Sequence, residues 1–151
     1  MNLKLRAEDT EDLKVMSAHL QDALIRMGDI VFLARKRRLA IVLNRFCWER
    51  EPGRINGKDA YERTAAGLHL DNVLSVKTRG MDRSDPEALL YMLAIDVKME
   101  QEGEALIELQ FAGNASLIAR VECIEMQLED MGEPWLTDSK PAHDGARTSS
   151  P

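Results

Sequence analysis

The chain has 151 residues, of which 44% are hydrophobic and 30% charged, as is usual for one soluble globular domain. Its formal net charge of −6 makes the chain as a whole poorly suited to binding nucleic-acid phosphates. No apolar run is long enough to span a membrane, and the N-terminus lacks the pattern of a secretory signal. We therefore expect a cytoplasmic protein without membrane contact, whose two cysteines, Cys47 and Cys123, are reduced core residues.

The first half of the chain predicts a strand, a helix and a β-hairpin. Leu3 and Leu5 alternate with charged residues and predict a strand over residues 2–7. Carboxylates then precede apolar residues at helical spacing, which predicts a helix over residues 10–20 with Asp9 as its cap. Residues 24–33 and 39–48 have a period of two and predict two strands joined by a basic loop. Residues 50–63 contain proline, glycine and many charges, so we expect a mobile surface loop.

The second half predicts further strands and a closing helix. Strands are expected over residues 68–78, 89–99, 105–111 and 116–121, separated by short turns. Ile124, Leu128 and Met131 then recur at helical spacing before Gly132, which predicts a C-terminal helix. Residues 139–151 are small and polar, and we expect them to be disordered.

These elements predict an α+β domain over residues 1–138, followed by a disordered tail. Consecutive strands with short turns favour a mostly antiparallel sheet or small barrel of about seven strands, with an early helix and a C-terminal helix. The element order is similar to that of pleckstrin-homology-like folds. Folds of this kind have many functions, so the similarity predicts no activity.

The motifs of several kinds of chemistry are absent from the sequence. It has no glycine-rich nucleotide fingerprint and no nucleophile elbow. His19, His69 and His143 are scattered, and no cysteine or histidine pair has the spacing of metal ligands. We therefore predict no catalytic residue, no metal site and no cofactor.

Four consecutive cations form the loop between the two hairpin strands: Arg35, Lys36, Arg37 and Arg38. They are either a solvated turn or a contact site for nucleic acid or an acidic protein. Phe46 and Trp48 could offer stacking surfaces for bases, but both share a face with Ala40 and Val42, which favours a core position.

Four stretches together resemble a bacterial family known as domain-of-unknown-function family 2948. They are DLKVMSAHLQDA (residues 12–23), LAIVLNRFCWE (39–49), VLSVKTRGMDRSDPEALLYMLAI (73–95) and VECIEMQLEDMGEPW (121–135). The resemblance implies a small cytoplasmic bacterial protein and no assigned activity. Within these stretches Asn44, Arg45, Arg79 and Asp82 are polar residues near strand ends, where binding sites tend to form. Alternatively, Arg45 and Asp82 form a structural ion pair or cap turns.

Three hypotheses about function follow from this sequence. The leading one is a non-enzymatic binding or adaptor domain that contacts a protein partner or a second copy of itself. The second is nucleic-acid binding through the basic loop at residues 35–38. The third is an enzyme that uses His69, Arg45 or Arg79 in a cleft.

Overall fold

The computed structural model describes residues 3–49, 53–55 and 58–137, and these residues contain ten β-strands and one α-helix. In chain order the elements are β1 (Lys4–Ala7), α1 (Thr10–Leu20), β2 (Leu24–Leu33), β3 (Arg38–Phe46), β4 (Gly53–Ile55), β5 (Lys58–Leu70), β6 (Val73–Arg79), β7 (Leu89–Met99), β8 (Ala105–Phe111), β9 (Ala115–Val121) and β10 (Met126–Thr137). Short 3₁₀ turns at Ala34–Lys36 and Gln101–Gly103 precede β3 and β8.

All the strands belong to one antiparallel sheet. Nine of them lie side by side in the order β1-β10-β5-β3-β2-β7-β8-β9-β6, and β4 pairs with β5 beside this path. The path ends at β1 and β6, which do not pair with each other within the described residues, so the sheet is open. The predicted antiparallel sheet is confirmed, while the predicted number of about seven strands was too low.

One hydrophobic core joins the two halves of the sheet. The inner face of β3 contributes Leu39, Ile41 and Leu43, and the same cluster contains Leu109 of β8 and Leu117 of β9. Because residues from distant strands meet in one cluster, the sheet must bend around a shared core. Three buried residues of α1 pack against this core: Leu13, Met16 and Leu20.

The predicted early helix is confirmed, including its capping residue. Asp9 accepts a hydrogen bond from the backbone N–H of Asp12 at 2.8 Å, and the Asp12 carboxylate accepts one from the N–H of Glu8 at 3.0 Å. The first bond satisfies an N–H group that a helix start leaves without a partner, and the second connects the same turn to the residue before the cap.

The predicted β-hairpin is also confirmed. Strand β2 pairs with β3 through a turn in which Arg37 adopts a left-handed conformation with φ of 52°. Its backbone N–H donates to the carbonyl of Ala34 at 3.1 Å, which closes the turn.

The predicted C-terminal helix is wrong, because residues 126–137 form strand β10. This strand lies between two others, with Leu128 opposite Leu5 of β1 and Leu68 of β5. Two sets of inter-strand hydrogen bonds outweigh the helical spacing of the apolar residues. Gly132 has φ of 78° and lies where the register shifts between Met131 and Trp135. The pleckstrin-homology-like layout is not confirmed, because its closing helix is absent from the described residues.

The segment predicted as a loop contains β4 and the start of β5 in its described part. The strand predicted over residues 68–78 is two strands, since Asn72 takes a φ of 61° and turns the chain between β5 and β6. Residues 50–52 and the tail 139–151 lie outside the described residues, so their predicted mobility and disorder stay predictions, as does the extent of the domain.

Candidate functional site

Two of the four cations in the basic loop are neutralised by neighbouring carboxylates. Arg37 forms an ion pair with Glu122 just after β9, and Arg38 donates to Asp71 with an Nε–Oδ1 distance of 2.7 Å. Arg35 and Lys36 are exposed and form no ion pair with a described residue. The loop therefore presents two available cations rather than four.

The aromatic residues considered for base stacking lie far from this loop. Phe46 is at the opposite end of β3 from Arg38, a separation of roughly 25 Å along an extended strand. Its side chain is only 1% exposed, so it presents no open ring surface on which a base could stack. Trp48 donates its indole N–H to the carbonyl of Gln21 at 2.9 Å. Basic and aromatic residues therefore do not form one continuous surface.

A gap in the sheet separates β2 from β6. Between Ile25 and Ile30 the register of β2 with β3 shifts, and such a bulge bends a strand. The pairing of β2 with β7 stops at Arg26, and the next two N–H groups donate to carbonyls of the segment before β7. From residue 29 to 33, β2 pairs only with β3. Strand β6 pairs only with β9. In the described structure, both strands thus present one backbone edge without a strand partner.

We call the space between these edges the β2–β6 groove. It has a volume of about 330 Å³ and extends down to the buried core residues Leu39 and Leu117. Phe32 of β2 lies directly opposite Leu39, so its side chain points to the core face of the sheet. It is nevertheless 37% exposed, since none of the described strands covers it. Across the groove, the half-buried Val76 lies opposite Ala119 and also points inward.

Backbone contacts close the groove at both ends. At one end the N–H of Gly28 donates to the carbonyl of Pro86 at 2.8 Å. A Cβ atom on Gly28 would lie 3.0 Å from that oxygen, so glycine permits the close approach. At the other end the N–H of Val73 donates to the carbonyl of Arg37 at 2.8 Å. Between these contacts five residues of β2 offer an edge of roughly 17 Å.

Unpaired cations surround the groove. Lys77 and Arg79 are exposed on β6, Arg83 lines the groove, and none of them forms an ion pair with a described residue. The nearby Asp82 accepts hydrogen bonds from the backbone and hydroxyl of Ser84, and these bonds lower the pKa of Asp82. Three cations without an ion pair to a described residue thus lie beside the groove, together with the charged carboxylate of Asp82.

A second polar cluster is centred on Arg45, which is fully buried on the inner face of β3. Asp130 of β10 accepts from its Nε and Nη2 atoms at 2.8 Å each. Glu49 accepts from Nη1 at 3.0 Å and from Nη2 at 2.9 Å, and the carbonyl of Phe46 accepts a further bond at 3.1 Å. The backbone N–H of Leu3 donates to Asp130 at 2.9 Å, which connects the cluster to the N-terminal segment.

These bonds keep the cluster charged despite its burial. Burial lowers the pKa of Arg45, but the bonds to Asp130 and Glu49 outweigh burial and raise it above its ordinary value. For Glu49, burial raises the pKa, while the hydrogen bonds from Arg45 and the backbone lower it, and the net change is a decrease. His19 lies near the edge of the cluster, with Nδ1 3.7 Å from Glu49. With every major charge paired, the arrangement is that of a structural ion-pair network.

Arg63 is a second buried arginine with very different surroundings. Its side chain is 6% exposed, and its guanidinium lies over the Phe46 ring at 4.1 Å from the ring centroid. No hydrogen-bond acceptor among the described residues reaches its Nη1 atom. Burial lowers the pKa of Arg63, and electrostatic interactions with Tyr91 and Asp22 only partly offset this effect.

The structure separates the four polar residues noted near strand ends. Asn44 is on β3 between Leu24 and Ala65, while Arg79 and Asp82 lie at and just beyond the end of β6. Four strands separate β3 from β6 in the sheet order. Arg45 does form a structural ion pair, but with Asp130 and Glu49 instead of Asp82.

The residues of the enzyme hypothesis also fail to meet in one cleft. Arg45 points to the core, whereas His69 lies between the inward-facing Leu68 and Leu70 and points to the outer face. Arg79 is exposed at the end of β6. Among the described residues, no group of three histidine, cysteine, aspartate or glutamate side chains could hold a metal ion.

The sequence contained a usable signal for only part of these sites. Arg45 continues the alternation of Leu39, Ile41 and Leu43, and this places it on the buried face of β3. Asp130 and Arg63 were not identified, because one lay in the segment predicted as a helix and the other in the segment predicted as a loop.

Comparison with known protein families gives a match over most of the chain. The model of a family described as a protein of unknown function, DUF2948, matches residues 3–143. The chain belongs to this family. The match extends over every strand from β1 to β10 and confirms the resemblance seen in the four sequence stretches. Nothing matches among curated proteins or solved structures. In the described part of the chain, no helix is long and apolar enough to cross a membrane.

Proposed function

We propose that this chain is a non-enzymatic binding domain that accepts an extended segment of a partner protein in the β2–β6 groove. The observation that carries the proposal is the pair of strand edges, β2 and β6, that face a groove open to the core. A strand from a partner would add hydrogen bonds to a free edge and place alternate side chains into the groove.

The backbone edges favour a peptide over an apolar small molecule. A hydrocarbon ligand could cover Phe32 and Val76, but it would leave the N–H and C=O groups of β6 without partners. An extended peptide satisfies both requirements, because its backbone pairs with the edge while its side chains alternate between the two faces. Strand addition therefore suits both the polar edge and the apolar floor.

The charges around the groove favour an acidic partner over a second copy of this chain. If β6 paired antiparallel with another β6, Lys77 and Arg79 of the two copies would lie near each other. Like charges in opposite positions on neighbouring strands destabilise a sheet. A partner segment in which aspartate or glutamate residues stand next to the apolar residues would instead form ion pairs with Lys77, Arg79 and Arg83.

A displayed library of random nine-residue peptides tests the proposal directly. We expect selected peptides to combine alternating apolar residues with carboxylates. Lys77→Glu should weaken their binding about five- to tenfold at low salt, because it places like charges together. Lys98→Glu is the matched control, since Lys98 is also exposed on a strand but lies on β7.

A second test fills the groove. Thr78 lines it and lies opposite Leu117, so Thr78→Trp should occupy the space and abolish peptide binding while the free edge of β6 persists. Equal binding by the wild-type, Lys77→Glu and Thr78→Trp proteins would contradict the proposal. Selected peptides without carboxylates would contradict the acidic partner.

Nucleic-acid binding is the second candidate, and it rests on Arg35 and Lys36. These two exposed cations predict weak and strongly salt-dependent binding to duplex DNA or RNA. The double variant Arg35→Glu/Lys36→Glu should eliminate it, as measured by fluorescence anisotropy between 50 and roughly 200 mM salt. Affinity that is unchanged in this variant would exclude the basic loop as a contact site.

We further propose a cytoplasmic location. Cys47 is buried and Cys123 exposed, and neither forms a disulfide. The exposed position of Cys123 differs from the predicted core position, and a reducing compartment would keep such a thiol free. Fractionation of the native cells should recover the protein with cytoplasmic markers, and recovery in a membrane or extracellular fraction would contradict this location.

A further inference from the structure

A row of three residues crosses the outer face of the sheet at the end away from the basic loop. Phe46 of β3 lies directly opposite Arg63 of β5, and Arg63 lies directly opposite Trp135 of β10. Directly opposed residues of antiparallel strands point to the same face, with Cα atoms about 4.5–5.5 Å apart. Arg63 and Trp135 therefore point to one side of the sheet, where the guanidinium lies over the Phe46 ring.

Both neighbours have a buried hydrogen-bond donor without an acceptor. Among the described residues, no acceptor reaches Nη1 of Arg63 or Nε1 of Trp135, although both atoms are shielded from solvent. A buried donor without a partner is unfavourable, and a buried charge without a counter-charge is more so. Two such donors on directly opposed residues are an arrangement in which a ligand could supply the acceptors.

The contrast with Arg45 shows that the sheet can satisfy a buried arginine. Arg45 has two carboxylates in direct contact, whereas no carboxylate among the described residues forms an ion pair with Arg63. The lowered pKa of Arg63 agrees with this incomplete compensation, even though the carboxylate of Asp22 favours the protonated form. Arg63 thus retains the capacity to bind an anion.

We propose that Arg63 and Trp135 form a binding site for the carboxylate group of a small organic acid. A carboxylate has one negative charge and two oxygen atoms, which match one guanidinium and two N–H donors. A phosphate dianion has more charge and more oxygens than this site can satisfy. The site does not depend on the β2–β6 groove, because it lies at the opposite end of β3.

Benzoate is the probe, and the fluorescence of Trp135 is the readout. The chain has two tryptophans, so Trp48→Phe leaves Trp135 as the sole tryptophan. In this background, we expect benzoate to change the fluorescence saturably and to raise Tm, with inorganic phosphate at equal ionic strength giving the smaller effect. Arg63→Met should weaken benzoate binding at least about tenfold, because it removes the charge-assisted bond.

Two further variants separate binding from folding. Arg63→Met should leave the Tm without ligand unchanged or higher, whereas Arg45→Met should lower it strongly. In the two-tryptophan protein, Trp135→Phe keeps an aromatic ring but removes the N–H donor, so the benzoate-induced rise in Tm should shrink. If Arg63→Met proves unstable, the effect of Trp135→Phe on this rise still decides the question.

Three results would overturn the inference. The first is no response to benzoate in the protein that retains Arg63 and Trp135. The second is a benzoate response that persists unchanged in both Arg63→Met and Trp135→Phe. The third is a larger rise in Tm with phosphate than with benzoate, which would show that the ligand class is wrong.

Discussion

Replacing Asp130 by asparagine tests whether the buried ion pair fastens β10 to β3. The carboxylate accepts two bonds from Arg45 and one from the backbone of Leu3. Asparagine has nearly the same size but only one acceptor oxygen and no charge. At least one N–H of the buried guanidinium therefore loses its acceptor, and Glu49 is then the one described carboxylate that still forms an ion pair with Arg45.

The expected loss of stability follows from this geometry. Removing one partner of a buried ion pair costs about 3–5 kcal/mol. Because Glu49 still holds Nη1 and Nη2 of Arg45, we expect the lower end of this range, about 3 kcal/mol. For a domain of this size, about 2–4 °C per kcal/mol then gives a decrease in Tm of about 6–12 °C.

Urea unfolding followed by circular dichroism measures this change. Glu104→Gln is the control, because Glu104 and Arg120 form an ion pair at the surface, with an N–O distance of 3.0 Å. Such exposed pairs contribute about 0.2–1 kcal/mol. If Asp130→Asn costs no more than Glu104→Gln, Arg45 does not depend on Asp130 and our assignment of a structural ion-pair network fails.

Two further predictions concern acid stability and backbone strain. The folded-state pKa of Glu49 is lowered, so its contribution is present above the ordinary carboxyl pKa of about 4.3 and is lost as pH falls through the folded-state value. Glu49→Gln should therefore destabilise the protein at pH 7 but much less near pH 3, and equal urea-midpoint losses at both values would contradict this. Gly80→Ala should cost at least about 2 kcal/mol, because φ is +68° and the new Cβ would lie 2.6 Å from the carbonyl oxygen of Asn114. Gly113→Ala, at φ of +80° with open space, should cost only about 1 kcal/mol, and equal decreases in Tm for the two variants would refute the clash.

Local sequence patterns correctly predicted the elements that are stabilised by residues close to one another in the sequence. Helix α1 has its cap, its first-turn carboxylates and its apolar spacing within a dozen residues, and its bounds agree with the structure. The β2–β3 hairpin likewise needs only two alternating segments and a short turn. In both cases the interactions that fix the element are local.

The elements that were not predicted correctly depend on pairing between strands that are far apart in the sequence. Residues 126–131 fit a helix by spacing, but β1 and β5 pair with this segment from either side. The same limit applies to the ion pair, since Asp130 is 85 residues from Arg45 and reaches it only because β5 lies between their strands. The β2–β6 groove depends on where pairing stops, and no local pattern specifies that.

Amide hydrogen exchange of β6 shows whether a partner strand pairs with its free edge. It would compare the free protein with its complex with a selected acidic peptide, residue by residue. We predict that alternate amides of β6 gain strong protection on binding, because a strand added to its free edge accepts their hydrogen bonds. Protection confined to another surface, with β6 exchanging as in the free protein, would contradict the account.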